Sequence, residues 1–407
     1  MEGRFALIMS GGGARGAYEV GVLSYVLDEL PRRLGRPPRF HVVTGTSVGA
    51  IHACYVAATL GQADAGAQLV GIWRSLQVAG VYDIGIREVM GLPLRLLGLG
   101  SARARRRAAP ERLAGLLDTR PLEHLVRRSI PWVALRRNVD EGRIDAVAIA
   151  ATEIASGKSV VWIDSRDLQL RGWSHDPFVL ARPAALTPTH ALASAAIPFL
   201  FPALRVGDGY FCDGGLRLNT PLAPALRLGA DRLLIVGLRH VPTPEEEAVL
   251  AAHRETSYNS LAYLAGKVLN ALLLDHVDYD VDRLRVVNAI LETGAQTYGP
   301  EFLRRINETV EALRGTPYRV VRHHYIQPSR DLGVIATECL AHRDGEPGVR
   351  GWLSDIVTRY AVRGIAGEAD LLSYLFFDRC YAEHLIQLGR ADAEAHGEAL
   401  AALFSEQ

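Results

Sequence analysis

The stretch GTSVG at residues 45–49 places a serine between two glycines, where an apolar run gives way to a helical pattern. Gly45 and Gly49 permit the sharp strand-to-helix turn of a G-x-S-x-G motif, which pushes the Ser47 hydroxyl out of the backbone. The positive end of the following helix then lies beside that hydroxyl. The pattern indicates a serine nucleophile, but Gly and Ser are common in ordinary turns, so the motif alone is a weak signal.

A glycine-rich motif, GGGARG at residues 11–16, follows the first apolar run of the chain. Gly11, Gly13 and Gly16 match the G-x-G-x-x-G spacing of a dinucleotide-binding domain. A domain of that kind also needs an acid at the end of its second strand to bind the ribose hydroxyls. The second strand pattern, FHVVTG, ends without one. The sequence therefore does not favour a nucleotide site.

The same loop is suited to stabilising an oxyanion. Two turns that leave the same end of a parallel sheet face each other, so the backbone N–H groups of the loop would point toward Ser47. The predicted donors are Gly11, Gly12 and Gly13. Donors of this kind lower the barrier to acyl transfer by about 3–4 kcal/mol. Arg15 follows the glycines, and it would steady the loop, hold a phosphate or form a surface salt bridge.

A nucleophilic serine needs a base. Asp213 in CDGGLRLNTP is a lone acid between two glycine-permitted turns and is the better partner, with Asp208 in VGDGY as its competitor. A histidine base would fit the Ser–Asp–His order of α/β-hydrolases, but those enzymes reach their elbow only after several strands. We therefore interpret His240 as a loop histidine and His52, one helical turn after the serine, as a packed or capping residue.

The three motifs together resemble those of the patatin-like phospholipases, which are serine acyl hydrolases with a Ser–Asp dyad. The family's oxyanion motif is similar to GGGARG, its nucleophile elbow to GTSVG, and its Asp-Gly-Gly/Ala motif to DGG at residues 213–215. The segments AATEIASGKSVVW, ASAAIPFLFPALRV and NTPLAPALRLGADRLLIVG also look like parts of a patatin domain. The resemblance extends over about residues 5–240.

This resemblance implies hydrolysis of fatty-acyl esters, of the phospholipase A or lysophospholipase type, through an acyl-enzyme. Ser47 would be the nucleophile and Asp213 the proton acceptor, with oxyanion donors from Gly11 to Gly13. The supporting residues of the motifs are Arg15, Gly16, Gly45, Gly49, Gly214 and Gly215. Such a dyad requires no metal, and the resemblance implies no cofactor.

These motifs need a scaffold that brings three chain segments together. Residues 5–60 alternate strand and helix patterns, which implies a parallel sheet. This order agrees with the three-layer α/β/α sandwich that the resemblance implies, an α/β fold with a mostly parallel sheet. We predict a catalytic domain at residues 5–240. A mainly helical C-terminal extension at residues 241–407, with one strand-like run in YRVVRHHYIQP, would pack on it.

The composition limits the partners of the chain. Its 407 residues include 45 Lys+Arg and 45 Asp+Glu, so the formal net charge is zero and we expect no nucleic-acid partner. The four cysteines are scattered, which argues against a disulfide framework and favours a reducing cytoplasm. No secretory leader or membrane-spanning run is visible. We expect a cytoplasmic protein in peripheral contact with its membrane lipid or lysolipid substrate, and the sequence does not predict an oligomeric state.

Two other functions stay open at this point. An acyltransferase would use the same serine, but the malonyl-transacylase enzymes, which have a related sheet, also use a His partner and an Arg that holds the malonyl carboxylate. Neither residue is placed as needed here. A non-enzymatic lipid-binding protein would not need the intact Ser47 and Asp213. Transfer of labelled acyl groups to an alcohol, compared with release to water, separates transfer from hydrolysis.

The segment VMGLPLRLLGLGSARARRR at residues 89–107 predicts a membrane contact, because leucines would insert at the interface while arginines meet lipid phosphates. Each arginine would contribute about 1 kcal/mol near an anionic surface. The test variant carries Gln at Arg103, Arg105, Arg106 and Arg107. It should turn over anionic vesicles more slowly and hydrolyse a soluble short-chain ester at the wild-type rate. Equal rates on both substrates would instead indicate an ordinary surface loop.

Overall fold

A computed structural model of the chain describes residues 3–82, 111–113, 115–166, 177–248, 277–341 and 373–405. The segment 89–107 lies outside these residues. The strands, in chain order, are β1 (Phe5–Met9), β2 (Val42–Thr46), β3 (Ala146–Glu153), β4 (Ser159–Ser165), β5 (Val179–Pro183), β6 (Leu204–Val206), β7 (Gly209–Asp213), β8 (Arg232–Val236) and β9 (Arg322–Ile326).

Helices connect and cover these strands. Within the described ranges they are α1 (Gly16–Ser24), α2 (Leu30–Leu34), α3 (Val48–Ala58), α4 (Ala65–Arg74), α5 (Val78–Val81), α6 (Arg120–Ser129), α7 (Trp132–Asp140), α8 (Pro188–Ser194), α9 (Leu222–Arg227), α10 (Val277–Tyr298), α11 (Glu301–Arg314), α12 (Leu332–Ala341), α13 (Arg379–Ala395) and α14 (Gly397–Ser405). Single 3-10 turns at Gly13–Arg15 and Gly214–Leu216 follow β1 and β7.

The strands form one mixed sheet with the order β5-β4-β3-β2-β1-β8-β9. Five neighbouring strands of this sheet run parallel to one another, in the order β3, β2, β1, β8 and β9. On the other side β4 is antiparallel to β3, and the β6–β7 hairpin adds β7 antiparallel to the far end of β3. This arrangement confirms the predicted α/β fold with a mostly parallel sheet.

The central strand β1 is buried on both of its faces, as expected for a parallel strand between two helical layers. Phe5, Leu7 and Met9 face the larger hydrophobic core. Ala6 and Ile8 face a second core on the opposite side of the sheet. Burial on both faces explains why FALIM reads as a continuous apolar run and not as an alternating one.

The part of the chain after residue 241 is integrated with the sheet. Its strand-like run becomes β9, which pairs with β8 in parallel register. The ring of Phe404 in α14 stacks on Phe5 of β1 with the centroids 4.0 Å apart.

None of the described helices combines the length and the apolar run that a membrane span requires. The domain boundary near residue 240 stays a prediction.

Helices α1 and α13 approach each other backbone to backbone. A Cβ on Gly21 would collide with the carbonyl oxygen of Ile386, and one on Gly389 would collide with the carbonyl oxygen of Tyr18. Beside this contact, the Tyr18 hydroxyl donates a 2.8 Å hydrogen bond to Asp392. The two glycines therefore set the distance between the N-terminal and C-terminal helices.

The scattered cysteines argued against a disulfide framework, but Cys339 and Cys380 form a disulfide between α12 and α13, with their Cα atoms 6.0 Å apart. The two residues are separated by 41 positions, and only the packing of the two helices brings them together. Spacing in the sequence therefore gave no sign of the pair. Cys54 and Cys212 are buried and form no disulfide in the described part of the chain.

Replacing Gly389 with Ala should lower the free energy of unfolding by about 1–3 kcal/mol, because the added methyl group forces α13 away from α1. The matched control is Gly71→Ala on the exposed face of α4, where a Cβ would meet nothing within 4 Å. That change should raise stability by about 0.5–1 kcal/mol, since it removes glycine's backbone entropy. Urea denaturation compares the two, and equal midpoints would contradict the proposed close contact.

Candidate active site

Ser47 occupies the turn between β2 and α3 in a backbone conformation that L-residues rarely adopt, with φ 55° and ψ −125°. Such strain persists only where the surroundings hold it. The Ser47 N–H donates a 2.9 Å hydrogen bond to Ser194 Oγ, and Ser194 Oγ donates in turn to the carbonyl of Ala150 in β3 at 2.5 Å. The serine elbow is thus tied to the neighbouring strand by a side chain that the sequence did not single out.

Gly49 explains how the elbow reaches the end of β1. A Cβ at this position would lie 2.6 Å from the carbonyl oxygen of Ser10 and 2.7 Å from that of Met9. The first turn of α3 therefore packs directly on the backbone of β1. A Cβ on Gly11 would lie 3.0 Å from the Cβ of Ser47, so the glycine-rich loop lies immediately beside the serine.

Asp213 ends β7 and is 1% exposed. Its Oδ2 accepts a 2.6 Å hydrogen bond from the Ser47 hydroxyl. Its Oδ1 accepts a 2.7 Å hydrogen bond from the N–H of Gly215, in the 3-10 turn that starts at Gly214. The carboxylate is therefore oriented with one oxygen on the serine and the other on the backbone.

Burial raises the pKa of the Asp213 carboxyl to about 6, while the hydrogen bonds from Ser47 and Gly215 act in the opposite direction. Desolvation destabilises the charged form of a carboxyl, and donors to its oxygens stabilise it. With this pKa the group is mostly ionised at neutral pH and is a stronger proton acceptor than an exposed aspartate. These are the properties of a general base.

The competing acid and histidines lie elsewhere. Asp208 lies in the exposed turn of the β6–β7 hairpin, with its carboxylate 3.9 Å from Arg205. His240 bonds to Glu246 and to the carbonyl of Pro328, each at 3.0 Å. Among the described residues, neither His52 nor His240 forms a hydrogen bond with Ser47.

His52 belongs to a buried polar chain. The Trp73 indole N–H donates to His52 Nε2 at 3.1 Å, so the histidine proton lies on Nδ1 and is donated to Glu19 at 2.8 Å. The other oxygen of Glu19 accepts the N–H of Ser10 at 2.8 Å. Burial raises the pKa of Glu19. His52 is thus a packed residue whose partner Glu19 holds the start of the glycine-rich loop.

The glycine-rich loop does not present its three amides equally. The N–H of Gly11 donates to the carbonyl of Asn219 at 3.1 Å, and the Asn219 side chain donates back to the Gly11 carbonyl at 3.1 Å. Gly12 and Gly13 precede the first hydrogen bond of the 3-10 turn, which runs from Arg15 N to Gly12 O. Amides in that position have no partner within the turn. They are the better candidates for oxyanion donors.

Arg15 is buried, at 6% exposure, and not on the surface. Its Nε donates to the hydroxyl of Ser373 at 2.7 Å, and its guanidinium lies 4.1 Å from the ring centroid of Tyr374. The sequence left three roles open for Arg15. These contacts favour the first of them, in which Arg15 steadies the glycine-rich loop. The glycine at position 16 makes room for Val48, whose side chain would contact a Cβ there at 2.6 Å.

An apolar pocket opens beside Ser47, which is one of its lining residues. Aliphatic and aromatic side chains dominate its walls; these include Ile51, Leu69, Trp73 and Phe377. A pocket of this character accepts a hydrocarbon chain. The Ser47 side chain lies at the edge of this apolar lining.

Within the described parts of the chain, one group of three side chains could hold a metal ion, namely Cys339, Cys380 and His384. His384 Nδ1 lies 3.6 Å from each sulfur. The sulfurs are joined in a disulfide, however, and it is the thiolate form of cysteine that binds metals. The spacing of Cys380 and His384 on one helix face was missed in the sequence.

Comparison with known proteins adds a family. The sequence profile described as patatin-like phospholipase matches residues 7–226. Among solved structures, the chain is similar to VipD from Legionella pneumophila, with 13% identity and a TM-score of 0.33 over 98% of this chain and 75% of that chain. It is also similar to the ExoU–SpcU heterodimer of the Pseudomonas aeruginosa type III secretion system, with 16% identity and a TM-score of 0.29 over 92% and 68%. No curated protein matches the chain.

A fluorophosphonate probe should label Ser47, at a rate that rises with pH through about 6 and levels off above it, because Asp213 must be ionised to accept the serine proton. Mass spectrometry of the labelled peptide measures the rate between about pH 5 and pH 8. The Ser47→Ala variant is the blank. A rate that does not change over this range would contradict the role of Asp213 as the base.

Proposed function

Because the chain belongs to the patatin-like phospholipase family, we propose that it hydrolyses the fatty-acyl esters of phospholipids or lysophospholipids through an acyl-enzyme on Ser47. The observation that carries this proposal is the 2.6 Å hydrogen bond from Ser47 Oγ to Asp213 Oδ2. The two groups are buried, and the pocket that starts at Ser47 is apolar. The same arrangement supports a Ser–Asp dyad and a fatty-acyl substrate.

In the acylation step, Ser47 Oγ attacks the ester carbonyl carbon while its proton passes to Asp213 Oδ2. The carbonyl oxygen becomes an oxyanion, which the N–H groups of Gly12 and Gly13 stabilise. When the tetrahedral intermediate collapses, the C–O bond to the alcohol breaks. The alcohol or lysolipid takes the proton from Asp213 as it leaves, and the acyl group stays on Ser47.

The second step repeats the first with water as the nucleophile. Asp213 accepts a proton from the water as its oxygen attacks the acyl carbon, and the same amides stabilise the second oxyanion. The bond to Ser47 Oγ then breaks, and the serine recovers its proton from Asp213. The products are a free fatty acid and the original enzyme, so the cycle needs no other base.

The geometry favours a catalyst over a protein that only binds lipid. A lipid-binding protein without catalysis would gain nothing from a strained serine held on a buried carboxylate, since both features cost stability. An acyltransferase would use the same first step with an alcohol acceptor in place of water. The nature of the products therefore separates transfer from hydrolysis, and mass spectrometry of a mixed phospholipid, lysophospholipid and triacylglycerol panel identifies the ester that is cleaved.

Ser47→Ala should abolish ester hydrolysis and leave the fold intact, because it removes only a hydroxyl. Asp213→Asn should lower kcat by about 10²–10⁴-fold through loss of the base. The matched control is Asp208→Asn, which makes the same change at an exposed hairpin turn and should keep wild-type kcat. Release of fatty acid from labelled lysophospholipid measures all three variants.

Two outcomes would overturn the assignment. Activity in the Ser47→Ala variant would show that the elbow serine is not the nucleophile. A large loss in Asp208→Asn together with normal turnover in Asp213→Asn would exchange the roles of the two acids. Circular dichroism of each variant confirms that a loss of activity does not come from unfolding.

A further inference from the structure

A short segment far along the chain, Ser373–Asp378, contacts the glycine-rich loop directly. The Ser373 hydroxyl accepts the 2.7 Å hydrogen bond from Arg15 Nε. The Tyr374 ring lies under the guanidinium, and its hydroxyl accepts a 3.3 Å hydrogen bond from the same arginine. Arg15 directly follows the candidate oxyanion donors, so its two partners fix the end of that loop.

The backbone of the segment touches the loop as well. Gly13 has φ +56°, a conformation that favours glycine. A Cβ at this position would also collide with the carbonyl oxygen of Tyr374. The turn that presents the Gly13 amide is therefore shaped against the Tyr374 backbone, and a shift of one requires a shift of the other.

The other end of the segment reaches the apolar pocket. Phe377 lines the pocket that begins at Ser47. Its ring lies 6.2 Å from that of Trp73 and 6.4 Å from that of Tyr82, measured between centroids. The Tyr82 hydroxyl donates a 2.9 Å hydrogen bond to the carbonyl of Leu375. One short segment thus contacts both the loop and the wall of the pocket.

The segment is held in place by the start of α13. Asp378 caps that helix by accepting the N–H groups of Cys380 at 2.8 Å and Tyr381 at 3.4 Å. Cys380 is bonded to Cys339 of α12, and the buried Tyr381 donates its hydroxyl to the carbonyl of Leu332 at 3.1 Å. The segment is therefore anchored to two helices and is not a free loop.

We propose that residues 373–378 complete the active site. Ser373 and Tyr374 are positioning residues that hold the oxyanion loop through Arg15, and Phe377 is a specificity residue that shapes the site of the acyl chain. The proposal rests on the proposed function. Its physical reason is that oxyanion donors stabilise a transition state only when they are aligned beforehand, and three consecutive glycines do not keep one conformation without support.

The first experiment measures the rate at which a fluorophosphonate labels Ser47, which reports on the oxyanion loop without any lipid substrate. Tyr374→Leu and Ser373→Ala should each slow labelling by about tenfold or more. An oxyanion-loop amide that is moved out of alignment stabilises the oxyanion as poorly as an amide that is absent. Tyr374→Phe keeps the ring under Arg15 and should restore most of the rate. Arg15→Lys should also slow labelling, because an ammonium group cannot both stack on the Tyr374 ring and donate to Ser373 in the geometry of a guanidinium. The matched control is Tyr279→Leu, at a tyrosine that is 66% exposed.

The second experiment measures kcat/KM on a series of esters with increasing acyl-chain length. Phe377→Ala should raise the ratio of long-chain to short-chain kcat/KM, and Phe377→Trp should lower it, because the two changes enlarge and fill the same pocket. Phe178→Ala, at a phenylalanine that is 62% exposed, should leave the ratio unchanged. A chain-length preference that does not respond to position 377 would overturn the assignment of Phe377.

The results separate this inference from the proposed function. Wild-type labelling rates in Tyr374→Leu and Ser373→Ala, with both variants folded by circular dichroism, would overturn the positioning role and leave the Ser–Asp dyad intact. A lower melting temperature with an unchanged labelling rate would show a structural role only and would overturn it equally. If wild-type protein is labelled at Ser47 but cleaves no lipid ester, the proposed function fails and the labelling series still tests the loop.

Discussion

The structure depends on glycines at which two backbone segments approach more closely than any side chain would allow. At the end of β1 the carbonyl oxygens of Met9 and Ser10 pack on Gly49 of α3. A Cβ on Gly214 would collide in the same way with the carbonyl of Ala150 in β3. These contacts bring the ends of three strands together, so the elbow, the glycine-rich loop and the turn after β7 meet at one point. The strained backbone of Ser47 persists because its surroundings are fixed in this way.

The same close packing excludes water from the carboxylate. An ionised aspartate that is 1% exposed loses the solvation that would stabilise it. Among the described residues, the Ser47 hydroxyl and the Gly215 amide donate hydrogen bonds that partly compensate for this loss. The protein therefore keeps a buried charge at the expense of stability. In return, the proton affinity of Asp213 rises toward the working range of a base.

The sequence predicted what local motifs encode. The turns around Ser47 and Asp213 were recognisable because each needs glycine at fixed positions, and alternating strands and helices indicated the parallel sheet. Contacts between distant segments do not produce a recognisable motif in the sequence. Ser194 supports Ser47 from a helix that reads as an ordinary alanine-rich turn, Asn219 engages the amide of Gly11, and Arg15 meets Ser373 from the opposite end of the chain. The pairing of two scattered cysteines was missed for the same reason.

The central position of β1 makes its pairing depend on β8, a strand that lies more than 200 residues further along the chain. Among the described strands β1 comes first in the chain, yet it lies between β2 and β8 in the sheet and packs on Phe404 of α14. Until β8 has been made, one edge of β1 has no strand to pair with, and such edges are prone to intermolecular pairing. Contacts so distant in sequence also slow folding. Until β8 is available to pair with it, β1 is therefore open to association with other chains.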